Sequence, residues 1–149
     1  MRLVEVGHIA PDPGDAPLAR FGEHLELVSA EAVTCPGERL VALRLAWRLS
    51  EQGEWGETLF IHLLDAEGRW AAGADGDALG GLLPLVGWPT GGRLLVDERR
   101  IATDGLAPGV YRVTVGAYNR DTGERSMATD GAGAPIPSGE VAVATVTLR

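Results

Sequence analysis

Residues Leu40 to Leu49 read Leu-Val-Ala-Leu-Arg-Leu-Ala-Trp-Arg-Leu and carry the clearest pattern in the chain. From Val41 onward, every odd-numbered position holds a large apolar side chain, whereas the even-numbered positions include Arg44 and Arg48. A helix would distribute the two arginines around its circumference, but a strand places them on one side. The stretch therefore predicts a β-strand with one face in the core and with Trp47 buried.

The same period of two recurs along the chain. It predicts strands over Thr58–Asp65, Val110–Asn119 and Val141–Leu148, and more weakly over Leu25–Val33, Arg69–Ala74 and Arg93–Ala102. In Thr58–Asp65 apolar side chains point both ways, which predicts that both faces of this strand are covered. The alternation within Val141–Leu148 slips in phase, which predicts a β-bulge near Ala144–Thr145.

Turn sequences separate these strands, and the chain holds 21 glycines and 9 prolines. Strands spaced in this way predict an all-β fold: a two-sheet antiparallel β-sandwich of seven to nine strands, immunoglobulin-like or jelly-roll in type, with Greek-key connections. Residues 1–20 are predicted to be an extended, proline-rich lead or linker, and residues 21–149 a single sandwich domain. The glycine-rich loop Gly73–Gly92 is either a packed crossover or a functional loop.

Composition excludes several classes of function. The formal net charge is −8, which argues against binding to nucleic acid or to an anionic membrane surface. All 13 basic residues are arginine, so neither a Schiff-base lysine nor a P-loop lysine is present. No apolar stretch approaches the ~18 residues of a membrane span, and no signal-peptide core is recognisable, so this segment is not expected to insert into a membrane.

No catalytic or cofactor-binding residue is predicted. None of the four serines lies in a nucleophile elbow, and Cys35 lies in a turn without a nearby histidine. Asp97 and Glu98 are adjacent on a predicted strand, so their carboxylates would face opposite sides and could not act as a glycosidase pair. We therefore expect a domain that is not an enzyme.

No metal site is predicted either. The three histidines lack zinc-ligand spacing, and His62 is expected to play a structural part on the second face of its strand. Calcium is the less easily dismissed alternative, because four carboxylates surround two adjacent turns: Asp65, Glu67, Asp75 and Asp77. Acidic residues at turns more often serve the turn itself, and the sequence does not satisfy the EF-hand pattern.

Sugar binding is the one ligand chemistry for which the sequence offers candidate residues. Saccharides stack their apolar faces on exposed aromatic rings, and polar side chains bind their hydroxyls. Three tryptophans lie near loops, with polar neighbours, and the candidate ligand-binding set is Trp55, Trp70, Trp88, Arg69, Asp75 and Asp77. The alternative is that each of these tryptophans covers an end of the sandwich and binds nothing.

A set of motifs resembles one bacterial domain family. They occur in the order Arg20–Glu23, Pro36–Glu38, Phe60–Arg69, Ala74–Gly76, Gly80–Gly81, Trp88, Asp97–Glu98, Leu106–Val113, Val115–Tyr118 and Thr122–Arg125. This order is similar to that of the C-terminal extracytoplasmic β-sandwich domain of polytopic membrane glycosyltransferases. Those enzymes resemble family 39, the dolichyl-phosphate-mannose mannosyltransferase group. The resemblance covers about residues 21 to 148.

The resemblance implies a non-catalytic accessory domain of a glycosyltransferase-like membrane protein. Such a domain would bind the glycan acceptor, a partner surface or the membrane-embedded parent enzyme. The alternatives are a stand-alone carbohydrate-binding module and a purely structural or dimerising sandwich. The domain would lie on the extracytoplasmic face of the bacterial membrane if it belongs to a longer chain, and in the cytoplasm if Met1 is the native start.

Overall fold

The structure is a computed structural model that describes residues 7–50, 57–74 and 93–149. These residues form eleven strands and one turn of 3-10 helix, Pro36–Glu38. The strands are β1 Gly7–Pro11, β2 Ala19–Phe21, β3 Leu25–Cys35, β4 Leu40–Leu49, β5 Glu57–Leu64, β6 Trp70–Gly73, β7 Arg93–Ala102, β8 Gly109–Asn119, β9 Ala128–Asp130, β10 Pro135–Ile136 and β11 Val141–Leu148.

The strands form two antiparallel sheets that enclose one apolar core between them. The larger sheet has the order β1-β7-β4-β3-β2-β9-β10, and the smaller sheet has the order β11-β8-β5-β6. The predicted all-β, two-sheet antiparallel sandwich is confirmed. Short strands at residues 7–21 and 128–136 widen the larger sheet, so the described residues hold more strands than the seven to nine predicted.

The connections interlock the two sheets. β4 and β7 are neighbours in the larger sheet, and β5 and β8 are neighbours in the smaller one. The chain therefore changes sheet between β4 and β5 and again between β7 and β8, which is the Greek-key relation of the immunoglobulin fold. The order β5-β8-β11 has the same form as the C-F-G sheet of that fold, so the topology is immunoglobulin-like rather than jelly-roll.

Period-two alternation placed the core side chains correctly. The odd-numbered residues of β4 from Val41 to Leu49 are all at most 3% exposed, and Trp47 is completely buried. In β5 the inward Leu59, Ile61 and Leu63 are completely buried, while Phe60 on the other face is 2% exposed. The bulge in β11 is present, but it lies between Ala142 and Ala144, slightly earlier than predicted.

A buried tyrosine ties the crossing from β7 to β8 to the core. The hydroxyl of Tyr111, close to the start of β8, donates a 2.7 Å hydrogen bond to the carbonyl oxygen of Ala107. Tyr111 is 6% exposed, so its ring packs in the core while its hydroxyl holds the preceding turn. This is the tyrosine corner found in immunoglobulin-like sandwiches.

Within residues 7–20, the described part of the predicted lead, the chain contributes strands to the larger sheet, so this part is not a lead separate from the sandwich. β1 pairs with β7 at one side of the larger sheet, and β2 pairs with β3 on the other side. Residues 12–18 join them and must therefore cross the outer face of β7, β4 and β3; we call this segment the strap. Prolines are tolerated here because β1 is an edge strand and the strap forms no ladder.

Arg48 fastens the strap to the sheet. Its guanidinium donates hydrogen bonds to both carboxylate oxygens of Asp12, at 3.0 and 3.1 Å, and to the carbonyl oxygen of Asp15 at 3.1 Å. It also binds the Glu26 carboxylate at 2.7 Å. Beside this network the outer face is apolar, with Val28, Ala46, Leu94 and Val96 all at most 8% exposed.

These contacts make the strap sensitive to acid. The backbone amide of Gly14 and the Arg48 guanidinium lower the pKa of Asp12 against the effect of burial. Burial raises the pKa of Glu26, but hydrogen bonds from Arg20 and Arg48 outweigh it, and the net shift is downward. A carboxyl group with a lowered pKa in the folded state stabilises that state above its ordinary pKa, and the stabilisation is lost as the pH falls below it.

Replacing Arg48 by methionine is expected to lower the melting temperature by about 3–6 °C at pH 7, because a partly buried charged network is lost. At pH 3, below the ordinary pKa values of both carboxyl groups, the difference between variant and wild type should be smaller, because the unfolded chain takes up these protons more readily than the folded state. Differential scanning calorimetry at both pH values measures this. Arg44→Met is the matched control: its exposed pair with Glu98 does not touch the strap, and it should shift the melting temperature by at most about 2 °C. An Arg48 effect of equal size at both pH values would contradict the assignment.

Candidate functional site

The outer face of the smaller sheet carries a shallow groove of about 440 Å³. The groove runs over β6, β5 and β8 and reaches the segment that leads into β11. One wall is the indole of Trp70, and the remaining lining is mostly polar, with Arg112, Thr114, Arg125 and Glu140 among it. Its volume lies in the range of small-molecule binding sites in proteins.

Trp70 is the large exposed aromatic side chain of this face. It is the first residue of β6 and is 62% exposed. A Cβ atom added to Gly73 would lie 3.2 Å from the indole nitrogen of Trp70, so the glycine leaves room for the ring to lie along the strand. An indole exposed to this extent is not a plug over the end of the sandwich, which was the packing interpretation of this residue.

The turn before Trp70 is built by Asp65. Its carboxylate accepts hydrogen bonds from the backbone amides of Glu67 and Arg69, at 3.0 and 2.9 Å. The hydrogen bond from the Arg69 amide makes the largest contribution to lowering the pKa of Asp65. Together, these bonds outweigh burial, which raises the pKa. The Arg69 guanidinium pairs with Asp65 at 3.3 Å and with Glu67 at 3.5 Å, and it does not line the groove. The charged side chains of the turn are therefore paired with one another, and Trp70 stands directly beside them.

Glu140 is the polar centre at the other side of the groove. The hydroxyl of Thr114 donates a 2.6 Å hydrogen bond to one carboxylate oxygen, and Arg125 binds the other at 3.1 Å. His62 Nδ1 lies 3.8 Å from the first oxygen. Arg125 also donates to the carbonyl oxygen of Ser138 at 3.2 Å. This arrangement fixes a carboxylate, a guanidinium and a hydroxyl in one place, with donors and acceptors that suit sugar hydroxyls.

Phe60 forms a rigid floor under this cluster. The Arg125 guanidinium lies 4.6 Å from the centre of the Phe60 ring, which is a cation–π contact. The ring of His62 also lies against Phe60, with the ring centres 4.6 Å apart and the ring planes tilted by 34°. Opposite Phe60 on β8 stands Gly116, which has no side chain to compete for this space. The coverage of both faces of β5 predicted from its apolar pattern is thus realised at Phe60.

The turn after β8 brings Arg125 into the groove. The Asn119 side-chain oxygen accepts hydrogen bonds from the amides of Asp121 and Thr122, at 2.9 and 3.0 Å. The chain then reverses, and the amide of Ser126 donates to the carbonyl oxygen of Ala117 at 2.8 Å. Arg125 consequently faces Tyr118 across the strand and lies over Phe60.

The structure describes two residues of the predicted ligand-binding set, Trp70 and Arg69. Trp70 lines the groove, and Arg69 stands in the adjacent turn, paired with carboxylates of that turn. Trp55, Trp88, Asp75 and Asp77 lie outside the described residues. Of the calcium candidates, Asp65 is engaged by the turn amides, and residues 7–50, 57–74 and 93–149 contain no group of three or more potential metal ligands.

Sequence reasoning missed Arg112, Arg125 and Glu140 as site residues. The alternation of β8 did place Arg112 and Thr114 on the face opposite the core, which was the available signal for those two. No comparable signal existed for Arg125 and Glu140, because they reach the groove through turns rather than through a strand pattern.

Other predicted features lie away from the groove. Asp97 is completely buried in the core, while Glu98 on the opposite face binds Arg44, as the alternation predicted. Cys35 is half-buried beside a cavity of about 290 Å³ at one end of the sandwich. In the part of the chain that the structure describes, no helix is long and apolar enough to span a membrane.

Comparison with known proteins adds little. No protein-family model matches the chain, and no match was found among curated proteins. Among solved structures, an ApaA protein from Bordetella pertussis is similar over 97% of this chain and 94% of its own, at 14% identity and a TM-score of 0.30. Similarity at this level transfers neither a fold nor a function to the chain.

Proposed function

We propose that the chain is a non-catalytic domain that binds a saccharide in the groove on the outer face of the smaller sheet. The observation that carries the proposal is the 62% exposed indole of Trp70 at the wall of a groove whose other lining is largely polar. A saccharide has a ring face of C–H groups and a rim of hydroxyls. It therefore needs both an aromatic surface and fixed polar groups.

The geometry of the groove suits this two-part recognition. Trp70 stands on the edge strand β6, open to solvent, so a sugar ring can stack on it without displacing protein. Glu140 stands further along the same face, and Thr114 and Arg125 each already donate a hydrogen bond to its carboxylate. Polar groups held in this way lose little freedom on binding, which favours affinity.

A structural or dimerising role is the competing candidate for the same residue. An exposed tryptophan on an edge strand could also be covered by a second copy of the chain. The polar lining around Trp70 favours the saccharide, because the cores of interfaces between protein chains are depleted of charged residues. Sedimentation at increasing protein concentration separates the two candidates. If the chain dimerises through Trp70, the measured mass rises with concentration in the wild type, and Trp70→Ala shifts the equilibrium towards the monomer.

The place of the domain in a larger assembly is also a proposal. The motif order that resembles the glycosyltransferase-associated sandwich supports an accessory role, in which the saccharide is the acceptor of a membrane-embedded enzyme on the extracytoplasmic face. Reading the gene upstream of the Met1 codon tests this. A frame that continues into many apolar segments of about 20 residues supports the role. A stop codon and a ribosome-binding site directly upstream contradict it and leave a stand-alone binding module.

Trp70→Ala is expected to weaken saccharide binding at least about tenfold, because truncation of an aromatic anchor removes most of the apolar contact. The melting temperature should change by no more than about 2 °C, since the indole is mostly exposed. The measurement is binding of the labelled chain to an array of neutral and acidic glycans, followed by calorimetric titration with the glycans that bind.

The matched control is Met127→Ala, which removes a side chain that is 82% exposed and does not line the groove. It should leave glycan binding unchanged. Absence of binding to every glycan on the array, or equal binding by wild type and Trp70→Ala, would overturn the proposed function.

A further inference from the structure

We propose that the saccharide held in this groove carries a carboxylate group and that the guanidinium of Arg112 binds it. This inference rests on the proposed function and names the class of its ligand, a saccharide containing a uronic acid or another carboxylated sugar.

Arg112 and Trp70 are placed to act on one sugar unit. On one side of β5, Leu64 pairs with Trp70 of β6, and on the other side it pairs with Arg112 of β8. The three residues therefore lie in one row across the sheet. With a spacing of about 4.8 Å between strands, the Cα atoms of Trp70 and Arg112 are about 10 Å apart. The long side chain of Arg112 reaches back across this gap.

The position of the Arg112 guanidinium follows from its contact with the turn before β6. A Cβ atom added to Gly68 would lie 3.5 Å from Nη2 of Arg112. Gly68 stands two residues before Trp70, so the guanidinium of a residue on β8 extends over β5 towards the tryptophan. A ring stacked on Trp70 would thus have its substituents beside Arg112.

The charge state of the groove favours an anion at this point. Arg112 is exposed, and its guanidinium forms no hydrogen bond or ion pair with any of the described residues. The other two arginines near the groove are occupied, Arg69 by Asp65 and Glu67, and Arg125 by Glu140. In a chain with a net charge of −8, a guanidinium that has no ion-pair partner among the described residues and stands beside an exposed indole is a local site for negative charge.

A carboxylate is the anion that this site fits. A planar guanidinium binds a planar carboxylate through two parallel hydrogen bonds, and it also holds the carboxylate in a fixed orientation. Phosphate and sulfate are usually bound by several cationic groups or by converging backbone amides. Among the described residues that line this groove, Arg112 is the arginine without an ion pair, which matches one carboxylate on one sugar.

The test compares sugars that differ only in the carboxylate. The acidic glycans that the array selects are prepared as uronic-acid oligosaccharides and as the same oligosaccharides with every carboxylate converted to its methyl ester. Each form is titrated into the protein, and the two affinities are compared. The wild type is expected to bind the acid form about tenfold or more tightly than the ester, because a charge-assisted bidentate pair is lost in the ester. The preference should decrease as salt is added.

Arg112→Gln should abolish the preference while binding to the ester persists through Trp70. The matched control is Arg69→Gln, which removes an exposed arginine in the turn before Trp70. This arginine is paired with carboxylates of the turn, so the variant should retain the preference. Binding of wild type to acid and ester with equal affinity, selection of sulfated or neutral glycans only, or a preference that survives Arg112→Gln would overturn the inference while leaving the proposed function intact. Absence of binding to any glycan would overturn both.

Discussion

Asp97→Ala is expected to lower the free energy of unfolding by about 3–5 kcal/mol, which is a large share of the 5–15 kcal/mol typical of a domain. Asp97 is completely buried and Arg99 is 3% exposed, and Nε of Arg99 binds the Asp97 carboxylate at 2.7 Å. Both side chains face the core from β7. Removing the carboxylate would take away the anion that binds Nε of a guanidinium in a low-dielectric environment.

Urea unfolding of wild type and variant measures this effect. The companion variant replaces the pair by apolar residues, Asp97→Leu with Arg99→Met, and should recover most of the loss, because apolar replacement of a buried ion pair is often nearly neutral. A loss below about 1 kcal/mol for Asp97→Ala would show that the buried pair does not hold the core in the way that the geometry indicates.

Arg99 also links the two sheets. Its Nη1 donates a 2.9 Å hydrogen bond to the carbonyl oxygen of Ala74, directly after β6. The ion pair on the inner face of β7 therefore holds the end of the strand that begins with Trp70. In Asp97→Ala we expect faster amide hydrogen exchange at β6 as well as lower global stability.

Gly116→Ala is expected to cost about 2–3 kcal/mol in unfolding free energy. A Cβ atom at position 116 would overlap the ring of Phe60 and would lie 2.7 Å from the carbonyl oxygen of Gly139. The ring cannot move aside freely, since Arg125 and His62 both lie against it. The floor of the groove would be displaced, so saccharide binding should weaken together with stability.

Two further variants make this prediction specific. Gly37→Ala is the matched control, because Gly37 has open space around it and no left-handed backbone, and it should change stability by less than about 0.5 kcal/mol. Combining Gly116→Ala with Phe60→Leu should cost less than the two single changes together, since the smaller side chain relieves part of the overlap. Strict additivity, measured by urea unfolding, would contradict the packing of Phe60 on Gly116.

Most of the fold could be predicted from the period of two. The bounds of β4 and β11 agree with the predicted segments, because in each strand the apolar residues alternate towards the core. The strands of the proline-rich start and those near residues 128–136 were missed, because they are too short to show a period. Their positions depend on tertiary contacts such as those of Arg48 with the strap.

Buried charge was the second source of error. Arg93–Ala102 gave only a weak strand pattern because Asp97 and Arg99 occupy core positions, where apolar residues are expected. The site could be predicted only in part for a similar reason. Trp70 stood out as an aromatic residue next to a turn. Arg112 is a candidate ligand contact because it has no ion-pair partner among the described residues, and the sequence alone does not reveal which arginines are paired.

The central claim is that the groove between Trp70 and Glu140 binds a saccharide, and chemical-shift mapping tests it most directly. The chain is labelled with ¹⁵N and titrated with a glycan selected on the array. The account predicts saturable shifts of the Trp70 indole N–H and of backbone amides in β5, β6 and β8, with the outer face of the larger sheet around Arg44 unaffected. Shifts that centre on the larger sheet, or no saturable shifts with any glycan, would contradict it.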